Sequence, residues 1–537
     1  MRTISKFINL ALALCLAVSA AARAEENTFA QEAEAFFAQQ EQASAQPTST
    51  AQPDANELTV AYLASSGAQV NPLYCNERDL ISLNQLVFES VVTLDQTQKP
   101  VPELADNWTV QDNVWTFNLR QGVQFHNGME CLAQDVVASY EAFVAAGENN
   151  PYCGRLELIE SMTAVDAFTL QVTARFPGLI TLYAMTFPVM ERSTLADAMP
   201  RGTGPYWYIS YTPDSQLRLE SNPLWWKLQP NIQAVTAKCY FTTAEALEAL
   251  QTGAVDCFST RSYSAAFNRK LSSLIATDYS TSSYELLVPN LSSSSALSNV
   301  LVRQAVMYAI DRATLVSNAY LDMAQQSEVP IIPGTWLYES RSAMYYYSPE
   351  RALQLLNQAG WQDLTGDTVL NRLDANGMLE DLQIIIVTYD DGLSNVRQNA
   401  AEQIAANLTA VGVRASAFSY SRSDIADVIS NGDFDLLLMG VNLSEVPNLV
   451  PLFAKDGSIN IAGTHTDEMD QILLRTLSAT TEEEMILAYS DLQMYIVERL
   501  PIMGIGFRTG CLLSSRSLAG LSGAREYDVF NGLEFVN

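Results

Sequence analysis

The chain has 537 residues, 48% of them apolar, with 60 Asp and Glu against 30 Lys and Arg, a formal net charge of −30. At roughly 100–200 residues per domain, two to four domains are expected. The acidic excess argues against nucleic acid as a partner, because phosphates are repelled, and two histidines argue against a His-rich metal site; a carboxylate-based enzyme is not excluded.

Arg2 and Lys6 precede an apolar stretch, Phe7 to Ala22, and Ala22-Arg23-Ala24 is a small-x-small cleavage site. Residues 1–24 therefore read as a secretory signal peptide. The stretch is short for a bilayer span, which takes about 20 apolar residues. A lipoprotein signal at Cys15 is the competing reading, but Leu14 stands where a small residue is expected. Residues 25–56 carry no Lys or Arg and end in ASAQPTSTAQPDAN. A short helix over 30–42 is expected there, followed by a flexible linker that cannot bury enough apolar surface to fold.

The folded body begins near Glu57. Leu58 to Tyr62 reads as a strand, followed by a small-residue loop, Ala64 to Gln69. Trp115 to Leu119 and Phe168 to Val172 alternate apolar and polar as half-buried strands do. Gln134 to Ala146 places Val136, Val137, Tyr140 and Phe143 on one helical face. Val302 to Ser317 reads as a helix, and Glu350 to Ala359 as another, with Gly360 where a left-handed cap is needed. Leu382 to Thr388 is a strand, Val396 to Val411 a helix ending at Gly412, Phe434 to Met439 a buried strand and Glu482 to Arg499 a long helix. This mixture predicts α/β domains with open sheets.

After signal removal the cysteines are Cys75, Cys131, Cys153, Cys239, Cys257 and Cys511. An even count in an exported chain permits disulfides. Sequence proximity favours Cys131–Cys153 and Cys239–Cys257; buried thiols are the alternative. No pair has CxxC spacing, which disfavours a zinc ribbon. His126 reads as a turn residue in Phe125-His126-Asn127-Gly128. His465 lies beside Asp467, Glu468 and Asp470, but the run reads as a helix start capped by Thr466 rather than a metal site. Residues 363–379 break the calcium-loop pattern at Thr365 and Gly366 and read as a hairpin turning at Ala375-Asn376-Gly377. No Walker loop, GxGxxG run or G-x-S-x-G elbow is present. The acids nominate no catalytic pair.

Several stretches, in order, resemble one family. They are Pro102-Glu103-Leu104-Ala105-Asp106-Asn107-Trp108, the run Leu119 to Phe143, Gly202-Thr203-Gly204-Pro205-Tyr206, Asn222-Pro223-Leu224-Trp225-Trp226, Val302-Arg303-Gln304-Ala305 with Ala309-Ile310-Asp311-Arg312, and Ser348 to Trp361. Together they resemble the extracytoplasmic solute-binding proteins of peptide-type ABC importers, over nearly all of Glu57 to Phe535. The resemblance implies an α/β, two-lobed periplasmic-binding-protein-like fold of type II with three domains. The first is discontinuous (57–90, 190–290 and 500–537), a smaller domain covers 91–189, and the other lobe covers 291–499. The ligand is expected between the lobes, engulfed by hinge closure.

In peptide-binding members an Asp after a Gly-Trp pair receives the peptide ammonium. Here Gly440 is kept, Val441 replaces the Trp, Asn442 follows, and the Asp position falls on Ser444, with Glu445 beside it. The resemblance also points to Ala64, Ser65 and Ser66 after the first strand, and to Tyr389, Asp390 and Asp391 after the second-lobe strand. An ammonium buried in a cleft needs a paired charge, so the missing Asp opens a second reading: the same scaffold binding an oligosaccharide or a metal chelate. The leading expectation is a non-catalytic, exported binding protein, periplasmic or at the outer cell surface. It needs no cofactor, is monomeric, and delivers a peptide or similar solute to an ABC permease. An exported carboxylate hydrolase is the remote alternative.

Overall fold

A computed structural model describes residues 56–536, apart from 148–149, 293, 391–394, 462, 464, 519–520 and 522–523. The signal peptide, Cys15, the linker up to 55 and Asp391 lie outside the described residues. The strands, in chain order, are β1 (Glu57–Leu63), β2 (Val92–Leu94), β3 (Pro100–Pro102), β4 (Ala105–Gln111), β5 (Val114–Leu119), β6 (Ile159–Ala164), β7 (Thr169–Ala174), β8 (Tyr206–Thr212), β9 (Gln216–Ser221) and β10 (Ala234–Tyr240). They continue with β11 (Cys257–Thr260), β12 (Ile275–Pro289), β13 (Ala324–Gln326), β14 (Asn371–Leu373), β15 (Leu379–Asp381), β16 (Gln383–Tyr389), β17 (Arg414–Tyr420), β18 (Leu436–Asn442) and β19 (Met503–Ser514).

One large sheet has the order β17-β16-β18-β12-β19-β11-β1-β10-β9-β8, with β13 beside β19. Its centre is the long pair β12 and β19. At one end β19 also pairs with β11; at the other, β12 also pairs with β18. The two strands thus belong to both wings of the sheet. Their mutual register shifts between Ser280 and Tyr284, where the sequence turns polar, Ser280-Thr281-Ser282-Ser283. A bulge of this kind interrupts the ladder and bends the strand. Beyond it Tyr284 packs against Phe507 in a tilted arrangement with ring centroids 4.8 Å apart. A separate four-stranded sheet, β4-β5-β7-β6, buries Trp115 and Phe117.

Helix boundaries follow side-chain capping. In Ala133–Ala146 the Asp135 carboxylate accepts the Leu132 N–H at 3.0 Å, satisfying one of the donors a helix start leaves open. The expected single helix from Val302 to Ser317 is two, Val300–Ala309 and Arg312–Asn318. Asp311 interrupts it: its side chain accepts the Thr314 N–H at 3.1 Å and starts the second helix as an N-cap. Helix Pro349–Gln358 ends before Gly360, at φ 92°. Residues 371–381 form the expected hairpin, β14 with β15.

The expected pairings Cys131–Cys153 and Cys239–Cys257 are not formed; the structure carries all six described cysteines as thiols. Cys239 and Cys257 lie on β10 and β11, on opposite sides of β1, opposite Tyr62 and Val60. Two strand spacings place them about 9–10 Å apart, beyond the roughly 7 Å a disulfide spans. Cys131 and Cys153 lie beyond opposite ends of helix Ala133–Ala146, a helix about 21 Å long. The unfolding temperature of the mature protein is therefore expected to be the same with and without a thiol reductant. A lower midpoint under reductant would reveal a structural disulfide.

His126 joins two of the family-like stretches. Its backbone N–H donates to the Gly202 carbonyl at 3.1 Å, and its Nδ1 accepts the Gly202 N–H at 3.3 Å. Nε2 then carries the proton and is buried without a partner. Burial pushes the imidazole down to about 4, against an ordinary value of about 6.5. Between those pH values the unfolded chain takes up a proton that the folded chain refuses, so stability falls as pH drops from about 6.5 to 4. The loss is about 3 kcal/mol at most. His126→Gln should flatten this part of the stability profile, measured by urea denaturation across pH; an unchanged slope would place the titration elsewhere.

Candidate ligand-binding site

A narrow cavity with about 70 Å³ of free volume opens at the bulge in the crossing strands. Ser280, Thr281, Ser282 and Phe507 form its floor. One wall brings Gln98, Tyr183, Arg525 and Glu526; the other brings residues from 330–337 and 443–449. The second wall is largely apolar, with Ile331, Ile332, Trp336, Leu337 and Val446. Apolar walls with few placed polar groups are the usual make-up of small-molecule sites.

The walls touch at the rim. Trp336 donates its backbone N–H to the Thr97 carbonyl at 3.0 Å and its indole N–H to the Tyr183 hydroxyl at 2.8 Å. That hydroxyl donates to the Gln98 carbonyl at 3.0 Å; burial pushes it well above its ordinary range, so it stays a donor at neutral pH. Lys99 pairs with Glu482 at 2.6 Å, and Leu179 donates its N–H to the Ala479 carbonyl at 2.8 Å. Arg155 and Glu445 form the most enclosed of these contacts, 2.5 Å apart, with side chains 8% and 22% exposed.

The floor is held from below by Glu526, itself buried. One carboxylate oxygen takes Arg78 at 2.8 Å and Arg261 at 2.5 Å. The other accepts both the backbone N–H and the hydroxyl of Ser282 at 2.5 Å. The bulge is thereby tied to a single acid.

The residues proposed from the sequence are divided by the structure. Ser444 and Glu445 line the cavity. Ser444 turns the chain, its hydroxyl accepting the Val446 N–H at 3.1 Å, and Glu445 is engaged by Arg155. Ala64, Ser65 and Ser66 are elsewhere: Ser65 donates its N–H to Glu77 at 3.0 Å and Ser66 its hydroxyl to Asp214 at 2.7 Å. Tyr389 and Asp390 border a separate surface depression with Asn395 and Tyr420. Val441 is buried opposite Tyr284, and the Asn442 side-chain Oδ1 accepts the Ser283 hydroxyl at 2.7 Å. Gln98, Tyr183, Trp336, Arg525 and Glu526 were not singled out from the sequence.

Gly440 has a structural reason. It lies opposite Glu285 on β12, and Glu285 forms a two-pronged ion pair with Arg397, both contacts 2.9 Å, under β18. A Cβ on residue 440 would sit 2.7 Å from the Glu285 carboxylate and overlap Nη2 of Arg397. Both partners are largely desolvated, with side chains 13% and 2% exposed.

The comparisons fit this architecture. A family model for bacterial extracellular solute-binding proteins, family 5 (Middle), matches residues 99–458. The chain belongs to that family. It is 24% identical to the heme-binding protein A of Haemophilus influenzae, over 89% of this chain and 95% of that one. It is 26% identical to the dipeptide-binding protein of Escherichia coli, over 71% and 78%. Among solved structures, the nickel ABC transporter protein from Bacillus halodurans superposes with a TM-score of 0.74 at 20% identity, covering 88% of this chain and 98% of that one. The fold is the two-lobed type II periplasmic-binding-protein fold. No helix among the described residues is long and apolar enough to cross a membrane.

Gly440→Ala should cost about 1–3 kcal/mol, the usual loss when an added methyl forces buried side chains to shift. Urea denaturation measures it; an unchanged midpoint would mean that the Glu285–Arg397 pair does not need the space over residue 440.

Proposed function

We propose that this solute-binding protein captures a short peptide between its lobes, outside the cytoplasm, and hands it to the permease of an ABC importer. The observation that carries the reading is the narrow, largely apolar cavity seated on the two crossing strands. The pair β12 and β19, whose register shifts at Ser280/Tyr284 and again at Glu285/Leu286, would bend for the walls to part. Apolar surface around Trp336 accepts side chains of varied shape. The moving bodies in this reading are 57–90 with 190–290 and 500–537, the smaller 91–189, and 291–499. Export follows the signal reading of residues 1–24. The protein is non-catalytic and monomeric in this reading.

A second reading has its own support. Ser444 stands where peptide-binding members carry an Asp, and Glu445, the neighbouring acid, is held by Arg155. The cavity therefore offers no uncommitted carboxylate at that point for an ammonium. A non-peptide solute fits such a site, and relatives are named for heme and nickel as well as for peptides.

Native mass spectrometry of mature protein, purified without denaturation from rich medium, should show bound masses that fragment into peptides, and small-angle scattering should show a more compact form with ligand than without. A single non-peptide mass would favour the second reading instead. Because Arg155 already occupies Glu445, Glu445→Gln should change affinity for free-amino and N-acetylated peptides by the same factor. A selective loss for the free-amino peptides would make Glu445 the ammonium partner.

A further inference from the structure

The cavity at the bulge is small. Its free volume of about 70 Å³ is about half that of an apolar cavity, roughly 150 Å³, that admits one benzene ring. It holds one compact group and not a length of chain. A peptide captured between the lobes would place a single side chain there.

The lining decides what that side chain is. The floor carries three hydroxyls, and each already donates inside the protein. Ser280 donates to the Gln325 side chain at 3.3 Å, Thr281 to the Arg508 carbonyl at 2.7 Å and Ser282 to Glu526 at 2.5 Å. On the wall from 330 to 337, Thr335 donates to the Ile332 carbonyl at 2.8 Å, and the Trp336 indole to the Tyr183 hydroxyl. On the wall from 443 to 449, Ser444 and Asn448 turn back on their own loop, accepting the N–H groups of Val446 and Val450 at 3.1 Å each. Glu445 and Glu526 are held by arginines.

The rest is largely hydrocarbon. Ile331, Leu337, Val446, Leu449 and Phe507 all border the cavity and all are buried. A polar group placed among them gives up its water without gaining a partner, which disfavours binding. An aliphatic group has no such loss, and each methylene it buries favours binding by about fourfold. Phe507 lies on β19, whereas Leu337 and Val446 belong to the opposite wall. An occupant touching both sides gains its full apolar contact only when the walls are together, so it favours the closed arrangement.

We propose that this cavity is a size-limited apolar pocket that takes one aliphatic side chain of the captured solute, of valine to leucine size. The inference rests on the peptide reading above and narrows it: the shapes accepted vary, but the group is small and free of polar atoms. The substrate class is then peptides that carry valine, isoleucine or leucine, and peptides built only from polar or bulky aromatic residues are discriminated against.

The test uses tripeptides of two alanines and one guest residue, with the guest at each of the three positions in turn. The guests are valine and leucine, their near-isosteres threonine and asparagine, and phenylalanine and tryptophan, with trialanine as reference. The set is offered in competition to the mature protein, stripped of ligand, and retention is read by native mass spectrometry. Valine and leucine guests should be retained about tenfold or more over the other guests. Two variants move the size limit. Leu337→Ala enlarges the pocket and should shift retention toward phenylalanine. Val446→Phe fills it and should erase the advantage of leucine over trialanine. Circular dichroism melting checks that each variant folds; where one does not, the other decides, together with the guest order of the unsubstituted protein. Equal retention of all guests overturns this inference and leaves the peptide reading standing. An aliphatic preference that neither variant alters overturns it too, by placing the selecting pocket elsewhere. Retention of no tripeptide overturns the peptide reading and the pocket assignment with it.

Discussion

Everything about the site depends on how β12 and β19 cross from one wing of the sheet to the other. Two strands running through both wings would ordinarily make one stiff sheet. The polar stretch Ser280 to Ser283 prevents this by breaking the register. Its backbone groups would be left wanting partners, and Glu526 meets them from the C-terminal segment while also collecting Arg78 and Arg261. One buried carboxylate thus joins three parts of the chain that are remote in sequence. Pairing with two guanidiniums offsets the cost of its desolvation.

The same logic explains why the most recognisable motifs are not at the ligand site. They mark buried polar junctions. The Trp225-Trp226 pair and Thr203 of the Gly-Thr-Gly loop converge on Glu89: both indoles donate to its carboxylate, as does the Thr203 hydroxyl at 2.8 Å. Burial pushes Glu89 above its usual range, with Lys227 opposing the shift. Arg303 donates to the carbonyls of Leu297 at 2.6 Å and Arg499 at 2.6 Å, closing the end of the helix Glu482–Arg499. Arg312 pairs with Glu328 at 2.7 Å, both sides buried. These residues hold the scaffold, so they identify the family while leaving the ligand open.

This division sets what could be read in advance. Strands and helices with clean periodicity, such as β5 or Glu482–Arg499, were legible because local pattern and burial agree. The helix break at Asp311 was not, because a capping side chain overrode a continuous apolar pattern. Ser444 and Glu445 were legible as cavity residues because they follow a recognisable strand. Gln98, Tyr183, Trp336 and Arg525 were not: Tyr183 lies in a one-turn helix, and it meets Gln98 and Trp336 across 85 and 153 residues, separations that no local pattern reveals. At Gly440 the sequence could not show the buried ion pair for which its missing side chain leaves room.

The thiols carry a practical consequence. Burial, first of all, pushes Cys75 and Cys511 up to about 12 and raises Cys131, Cys239 and Cys257 as well. At neutral pH such groups hold little thiolate, the form that reacts with alkylating reagents and oxidants. Maturation of this fold accordingly does not wait on an oxidising compartment or a disulfide catalyst. Against this quiet background, a new cysteine placed at an exposed position on the rim would stand out chemically, so a dye could be attached to one lobe of an otherwise unaltered protein.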